Sequence, residues 1–229
     1  MTAPFYVSPE QWYTEKADFA RKGISRGRPI VALDYADGIV MLAENRSAGL
    51  RKLAEIYDRI GFAGVGKFDE YENLRKSGIR YADLRGFSYS REDVAASNHA
   101  NEYSTVLGNI FTREMKPFEV EILVCEVNDA AEGNGYYRVL FDGFIADQRN
   151  FAAIGGDTEQ LNEALGKSWR DGLSLAEATK VGCDSLGQTN GGSDKIDSKN
   201  LEIAVLDRKR DGRKFLRLDS GQVQELLAG

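Results

Sequence analysis

Two cysteines, one histidine and four prolines are scattered through 229 residues, and each scarcity removes a class of function. Cys125 and Cys183 both lie inside apolar segments, at no metal-ligand spacing, so buried reduced thiols are expected rather than a disulfide or a metal centre. A Ser-His-Asp triad would have to be built on the lone His99. It sits in the polar run Ala96-Ser97-Asn98-His99, where an exposed or hydrogen-bonded helix residue is expected. No apolar run approaches membrane-spanning length. The opening MTAPFYVSPEQW lacks the charged and apolar regions of a secretory signal, which predicts a cytoplasmic protein. With 30 basic against 36 acidic residues, net charge −6, the chain lacks the basic footprint of a nucleic-acid binder. Its carboxylates have no metal-loop spacing. The glycines at Gly64–Gly66, Gly155-Gly156 and Gly191-Gly192 lack a phosphate-loop Lys-Ser/Thr or a dinucleotide fingerprint. No metal and no cofactor are expected.

What is present is a strong alternation of strand and helix patterns. The central stretch is Gly49–Arg75, GLRKLAEIYDRIGFAGVGKFDEYENLR. It reads as a strand pair, Leu53–Tyr57 and Arg59–Gly66, then a glycine break and a long helix over Phe68–Ser88. Ile60 and Phe62 point to one face of the second strand; Gly61, Ala63 and Val65 point to the other, where small side chains admit a second layer closely. Phe68, Tyr71, Arg75 and Ile79 share one helical stripe.

Before this stretch, Thr2–Pro9 reads as an extended arm ending in a Ser8-Pro9 turn. A helix follows over Glu10–Lys22, with Trp12, Tyr13, Lys16, Phe19 and Ala20 near one side, stopped by Gly23 and Gly27. Ile30–Tyr35 and Ile39–Ala43 form a hairpin across Ala36-Asp37-Gly38. After it, Ser90 with Asp93 suggests a capped start to a second helix carrying Tyr103, Val106, Leu107, Ile110 and Phe111. Lys116-Pro117 ends the helices. Strands follow over Val120–Val127, Tyr136–Phe141, Phe144–Ala146 and Phe151–Ile154, the third after the turn Asp142-Gly143. Two helices then begin at the caps Asp157/Gln160 and Ser174/Glu177, the first with Leu161, Ala164, Leu165 and Trp169 inside. The run 188–199, QTNGGSDKIDSK, is a polar loop. Leu201–Leu206 and Phe215–Leu218 make a last hairpin around the basic turn RKRDGRK, expected to be a solvated tip rather than a nucleic-acid patch. Gly221–Leu227 is a closing helix. Runs of antiparallel strands separated by helix pairs predict an α+β fold: two packed antiparallel sheets flanked by helix pairs, in four layers αββα.

The segment YDRIGFAGVGKFDEYENLR, the order of elements and the run KPFEVEILVCEV resemble proteasome core α-subunits of the bacterial type found in actinobacteria, within the threonine-peptidase family of proteasome subunits. The resemblance covers nearly the whole chain. It implies the N-terminal-nucleophile hydrolase sandwich and one α-type domain over 1–229: arm 1–9, N-terminal helix 10–22, sandwich 29–229.

Catalytic relatives expose a Thr, Ser or Cys directly after a glycine, with its own α-amine as base. Here Gly27 is followed by Arg28-Pro29. Glu44 and Lys52 resemble the acid and lysine that support that nucleophile, but no nucleophile stands with them, so no catalytic residue is assigned and the chain by itself is expected not to be an enzyme. The alternative is a free-standing hydrolase activated by an internal cut, for example before Ser25.

The resemblance further implies a non-catalytic structural and gating subunit in an outer seven-membered ring. The gate would be Thr2, Ala3, Pro4, Phe5, Tyr6, Val7, Ser8 and Pro9; the Tyr-Asp-Arg gate motif of archaeal members is missing here. Lys52, Gly66 and Lys67 match the pocket for activator C-termini, where an ammonium would meet a terminal carboxylate. Lys116, Pro117, Phe118 and Glu119 match the turn of the axial constriction, with the family's glycine replaced. The helix Glu10–Lys22 would pack on the adjacent subunit, and Phe68–Ser88 would face the β-ring. Implied partners are identical α-subunits, proteasome β-subunits, a ring ATPase that brings proteins tagged with a small ubiquitin-like protein, an ATP-independent ring activator, and unfolded substrates; no nucleic acid and no membrane.

Overall fold

A computed structural model describes residues 8–47, 49–129, 133–189 and 196–228. Helix α1 (Pro9–Ile24) comes first. Strands β1 (Ile30–Tyr35), β2 (Gly38–Glu44), β3 (Leu53–Tyr57) and β4 (Ile60–Gly66) follow, then α2 (Phe68–Ser88) and α3 (Ala96–Arg113). The second set is β5 (Val120–Glu126), β6 (Gly135–Val139), β7 (Ile145–Gln148) and β8 (Phe151–Ile154), then α4 (Thr158–Ser168) and α5 (Leu175–Thr189). The chain ends with β9 (Leu201–Asp207), β10 (Phe215–Arg217) and α6 (Ser220–Ala228).

The strands form two antiparallel sheets, ordered β10-β9-β2-β1-β8 and β3-β4-β5-β6-β7. Between them lies one apolar layer that includes Ile30, Ala32, Met41, Ala63, Val65 and Leu123. α4 and α5 cover the outer face of the first sheet, where Val31, Leu33, Val40 and Leu42 meet Leu161, Leu165 and Leu186. α2 and α3 cover the second, where Ile60, Phe62 and Val124 meet Leu74, Ala82, Tyr103 and Leu107. This is the αββα sandwich expected from the strand and helix order.

The two faces of β4 divide as the alternation requires. Ile60 and Phe62 go to the helix layer, and Ala63 and Val65 to the space between sheets. A Cβ on Gly61 would lie 3.0 Å from the Met41 sulfur of the opposite sheet, so the missing side chain is what sets that close spacing.

Several local expectations are corrected. α1 runs through Gly23 to Ile24, because that glycine is packed against Glu119, with no room for a side chain. The buried stripe of α2 is Glu70, Tyr71, Leu74, Gly78 and Ala82; beside it Phe68, Arg75 and Ile79 share a half-buried face, where Arg75 pairs with Glu72 at 2.7 Å. Ser90 does not start α3. Its hydroxyl caps a short 3-10 turn at Arg91–Asp93, and the first amide of α3, Ala96, donates to the Glu126 carboxylate from β5 at 2.9 Å. A tertiary acceptor thus does the work of a local cap. The strand predicted over Phe144–Ala146 is β7, shifted to Ile145–Gln148. The caps at Asp157 and Ser174 are formed, the latter as a reciprocal box with Glu177.

Cys125 is buried and Cys183 half-buried, both free; burial pushes the Cys183 thiol up to about 12. The basic turn spends much of its charge internally: Arg208 donates to the Asn128 carbonyl at 2.6 Å, Lys209 pairs with Asp37 at 2.8 Å, and Arg213 pairs with Glu55.

Candidate functional site: the Arg28 segment and the corner beside it

The segment Gly27-Arg28-Pro29 enters β1 at the edge of the inter-sheet layer. Gly27 lies against Val65 and the Gly66 amide, with no space for a Cβ. The Arg28 guanidinium is 2.8 Å from Glu44 at the end of β2, and Glu44 also takes Arg46 at 3.0 Å. From the turn before β3, the Lys52 ammonium donates to the Arg28 carbonyl at 3.0 Å. Glu202 of β9 accepts the Lys52 and Leu53 amides and pairs with Arg217 of β10.

Burial lowers the Lys52 pKa to about 8, Glu44 and Glu202 oppose the shift, and Arg28 adds to it. The acid and the lysine therefore both converge on Arg28. What they hold is an arginine side chain and its carbonyl, neither of which is a nucleophile.

Ser25, the nearest hydroxyl upstream, donates to the Lys22 carbonyl at 3.0 Å as part of the α1 C-terminus. His99 is buried, its ring nitrogens facing the Ala95 and Gly78 carbonyls at 2.9 and 3.3 Å. Burial pulls its pKa down, against the two carbonyl contacts that raise it, and the ring is packed between α2 and α3. Among the described residues no group of three His, Cys, Asp or Glu is placed to hold a metal.

Of the three residues assigned to the pocket, Lys52 and Gly66 both meet the Gly27–Arg28 segment, one through its ammonium and the other through its backbone. Gly66 has φ +108°, and a Cβ there would collide with the Glu119 carbonyl. Only glycine tolerates this corner. Lys67 points the other way, its ammonium 3.4 Å from both Asp69 and Glu70 on the first turn of α2, while its amide donates to the Glu119 carbonyl at 2.9 Å.

The turn at Lys116–Glu119 is fastened to the same place. Glu70 accepts the Lys116 ammonium at 2.8 Å and the Glu119 amide at 2.6 Å. Helix α1 is seated on this connection as well. Its buried Lys16 donates to the Phe111 and Glu114 carbonyls at 2.6 and 2.5 Å, a cation on the C-terminus of α3. Of the gate residues, Ser8 and Pro9 begin α1, with the Ser8 hydroxyl accepting the Gln11 amide at 3.2 Å; Thr2, Ala3, Pro4, Phe5, Tyr6 and Val7 lie outside the described residues.

The family model described as "Proteasome subunit" matches residues 24–206. The chain belongs to the proteasome subunit family. Within it, similarity runs to α-type proteins over full length. "Proteasome subunit alpha" of Kineococcus radiotolerans is 49% identical, over 100% of this chain and 99% of its own. That of Xylanimonas cellulosilytica is 53% identical over 95% and 93%, and that of Streptomyces coelicolor 51% over 99% and 91%. The actinobacterial α-type resemblance is therefore shown, and with it the N-terminal-nucleophile hydrolase character of the sandwich.

In this proteasome-family chain, sequence reasoning missed Glu70, Glu202 and the acceptors of Lys16. Glu202 interrupts the apolar strand LEIAVL, and a lone carboxylate in such a run was the available sign of a buried ion pair. Glu121 and Glu126 of β5 follow the same rule, paired with Arg138 and with Arg59. Glu70 carries no such mark and reads as an ordinary helix-surface charge until its distant partners are in view. Lys16 was marked by its place among Trp12, Tyr13, Phe19 and Ala20, but its acceptors at the end of α3 were not legible.

Proposed function

We propose that the chain is a non-catalytic structural and gating subunit of the 20S proteasome core. Seven copies form the outer ring against a ring of β-subunits, as one α-type domain with arm 1–9, N-terminal helix 10–22 and sandwich 29–229. The observation that carries the non-catalytic reading is the pairing of Glu44 and Lys52 with Arg28. The family's supporting acid and base are retained while the reacting hydroxyl is replaced by a residue with nothing to attack with. A free-standing hydrolase cut before Ser25 is disfavoured, because the two residues after Ser25, Arg26 and Gly27, would still separate it from Arg28, whose guanidinium and carbonyl already occupy both supporting groups.

In this reading the arm Thr2–Pro9 lies at the ring axis and admits unfolded chains. Lys116–Glu119 lines the constriction below it. Activator C-termini dock at Lys52, Gly66 and Lys67, the ammonium groups receiving the terminal carboxylate. A ring ATPase delivering proteins tagged with a ubiquitin-like protein, and an ATP-independent ring, are the activators. The setting is cytoplasmic; among the described residues no helix is long and apolar enough to cross a membrane. Co-expression with β-chains tests the reading. A high-mass particle is expected on size exclusion, and removing residues 2–8 should raise its hydrolysis of short peptides. A chain that never enters such a particle contradicts it.

A further inference from the structure

We infer that Glu70 is a positioning residue that ties the corner Gly66–Lys67 to the turn Lys116–Glu119 and, through Gly23, to helix α1, so that events at the corner reach the constriction turn. The inference rests on the docking and gating reading above and adds to it a residue that touches neither activator nor substrate.

Three separate elements end on one carboxylate or on the turn it holds. Lys67 and Lys116 approach the same oxygen of Glu70, at 3.4 and 2.8 Å, and the Glu119 amide takes the other at 2.6 Å. Glu119 then works in two directions. Its carbonyl accepts the Lys67 amide at 2.9 Å, and its side chain fills the space beside Gly23 of α1. Its own carboxylate pairs with Lys116 at 3.0 Å. The hydrogen bond to Glu70 raises the Lys116 pKa, with Glu119 adding to it.

The Glu70 side chain is 8% exposed while both lysines are about half exposed. A buried acceptor with mobile cations around it has few ways to rearrange, and losing one partner leaves charge to be satisfied elsewhere. A carboxylate arriving at Lys67 competes with Asp69 and Glu70 for that ammonium. Among the described residues, the partners that then remain to Glu70 are Lys116 and the Glu119 amide, both in the constriction turn. Glu119 cannot shift without disturbing the tight packing on Gly23. The corner and the turn are thus joined by one contiguous set of contacts through Glu70 and Glu119, and coupling between the two sites would act through it.

The test uses the particle assembled with β-chains and a synthetic peptide ending in the C-terminal residues of the ring ATPase. Peptide affinity is measured by fluorescence anisotropy, and maximal stimulation by degradation of casein. For Glu70→Gln, affinity is expected within about twofold of the parent while maximal stimulation falls by about fivefold or more. Lys116→Met should move stimulation the same way by a smaller factor, and decides alone if Glu70→Gln does not assemble. Stimulation unchanged in both variants would overturn the inference. Failure of the docking reading looks different: Lys52→Ala would then leave peptide affinity unchanged.

Discussion

The Lys52 ammonium lies 3.0 Å from the Arg28 carbonyl, and the Arg28 side chain closes the arrangement by reaching Glu44 at 2.8 Å. A lysine and an acid from two different elements are thereby bound to one arginine. The lysine is half buried, its ammonium held on the Gly27–Arg28 segment that also lies against Gly66.

Lys52→Ala should leave hydrolysis of short peptides by the assembled core unchanged. It should abolish the extra degradation of folded, tagged protein that an activator provides, because the positive partner of the docking carboxylate is gone. Side-by-side peptide and protein assays make the comparison, and unchanged protein turnover would remove Lys52 from the pocket.

Docking should also weaken in alkali. A carboxylate needs the charged amine, and Lys52 loses its proton near 8 rather than at 10.5. Affinity for an activator C-terminal peptide is expected to fall about tenfold between pH 7 and pH 9, while Lys52→Arg holds its affinity across that range because guanidinium stays charged. The sign for folding is opposite. Between about 8 and 10.5 the unfolded chain still binds a proton that the native chain has released. The contribution of this group to stability therefore rises with pH across that window, and below it burial of the ammonium is a constant cost.

Gly66→Ala should be damaging without altering any charge. The residue has φ +108°, and an added Cβ meets the Glu119 carbonyl. A loss of about 2 kcal/mol or more is expected, read as a fall in the melting temperature of the purified chain. The strain also falls on the Lys67–Glu119 hydrogen bond, so an unchanged melting temperature would mean that the corner between β4 and α2 is differently built.

How far the sequence led depended on how local each cause was. The two faces of β4 were legible because strand alternation is written in consecutive residues, and Gly61 announced a close layer by having no side chain. The reciprocal cap of Ser174 and Glu177 spans three positions and was equally plain. Ser90 misled because the helix it seemed to start takes its first acceptor from Glu126, 30 residues away from Ala96. Glu70 was invisible for the same reason. An acid in the first turn of a helix is what the helix dipole favours anyway, and its true partners, Lys116 and Glu119, lie 46 and 49 residues further on. At the site, the sequence singled out Lys52 and Glu44 by position, but did not show that both would end on Arg28. Nor was the seating of α1 by Lys16, 95 residues from Phe111, legible.

The non-catalytic assignment is tested most directly by intact-mass spectrometry of this chain, recovered from particles assembled with β-chains and treated with a β-lactone acylating inhibitor. The account predicts that the chain retains residues 8–27 ahead of Arg28 and carries no adduct, all label being on the β-chains. A shortened form beginning at Ser25 or another hydroxyl residue and bearing the acyl mass would contradict it.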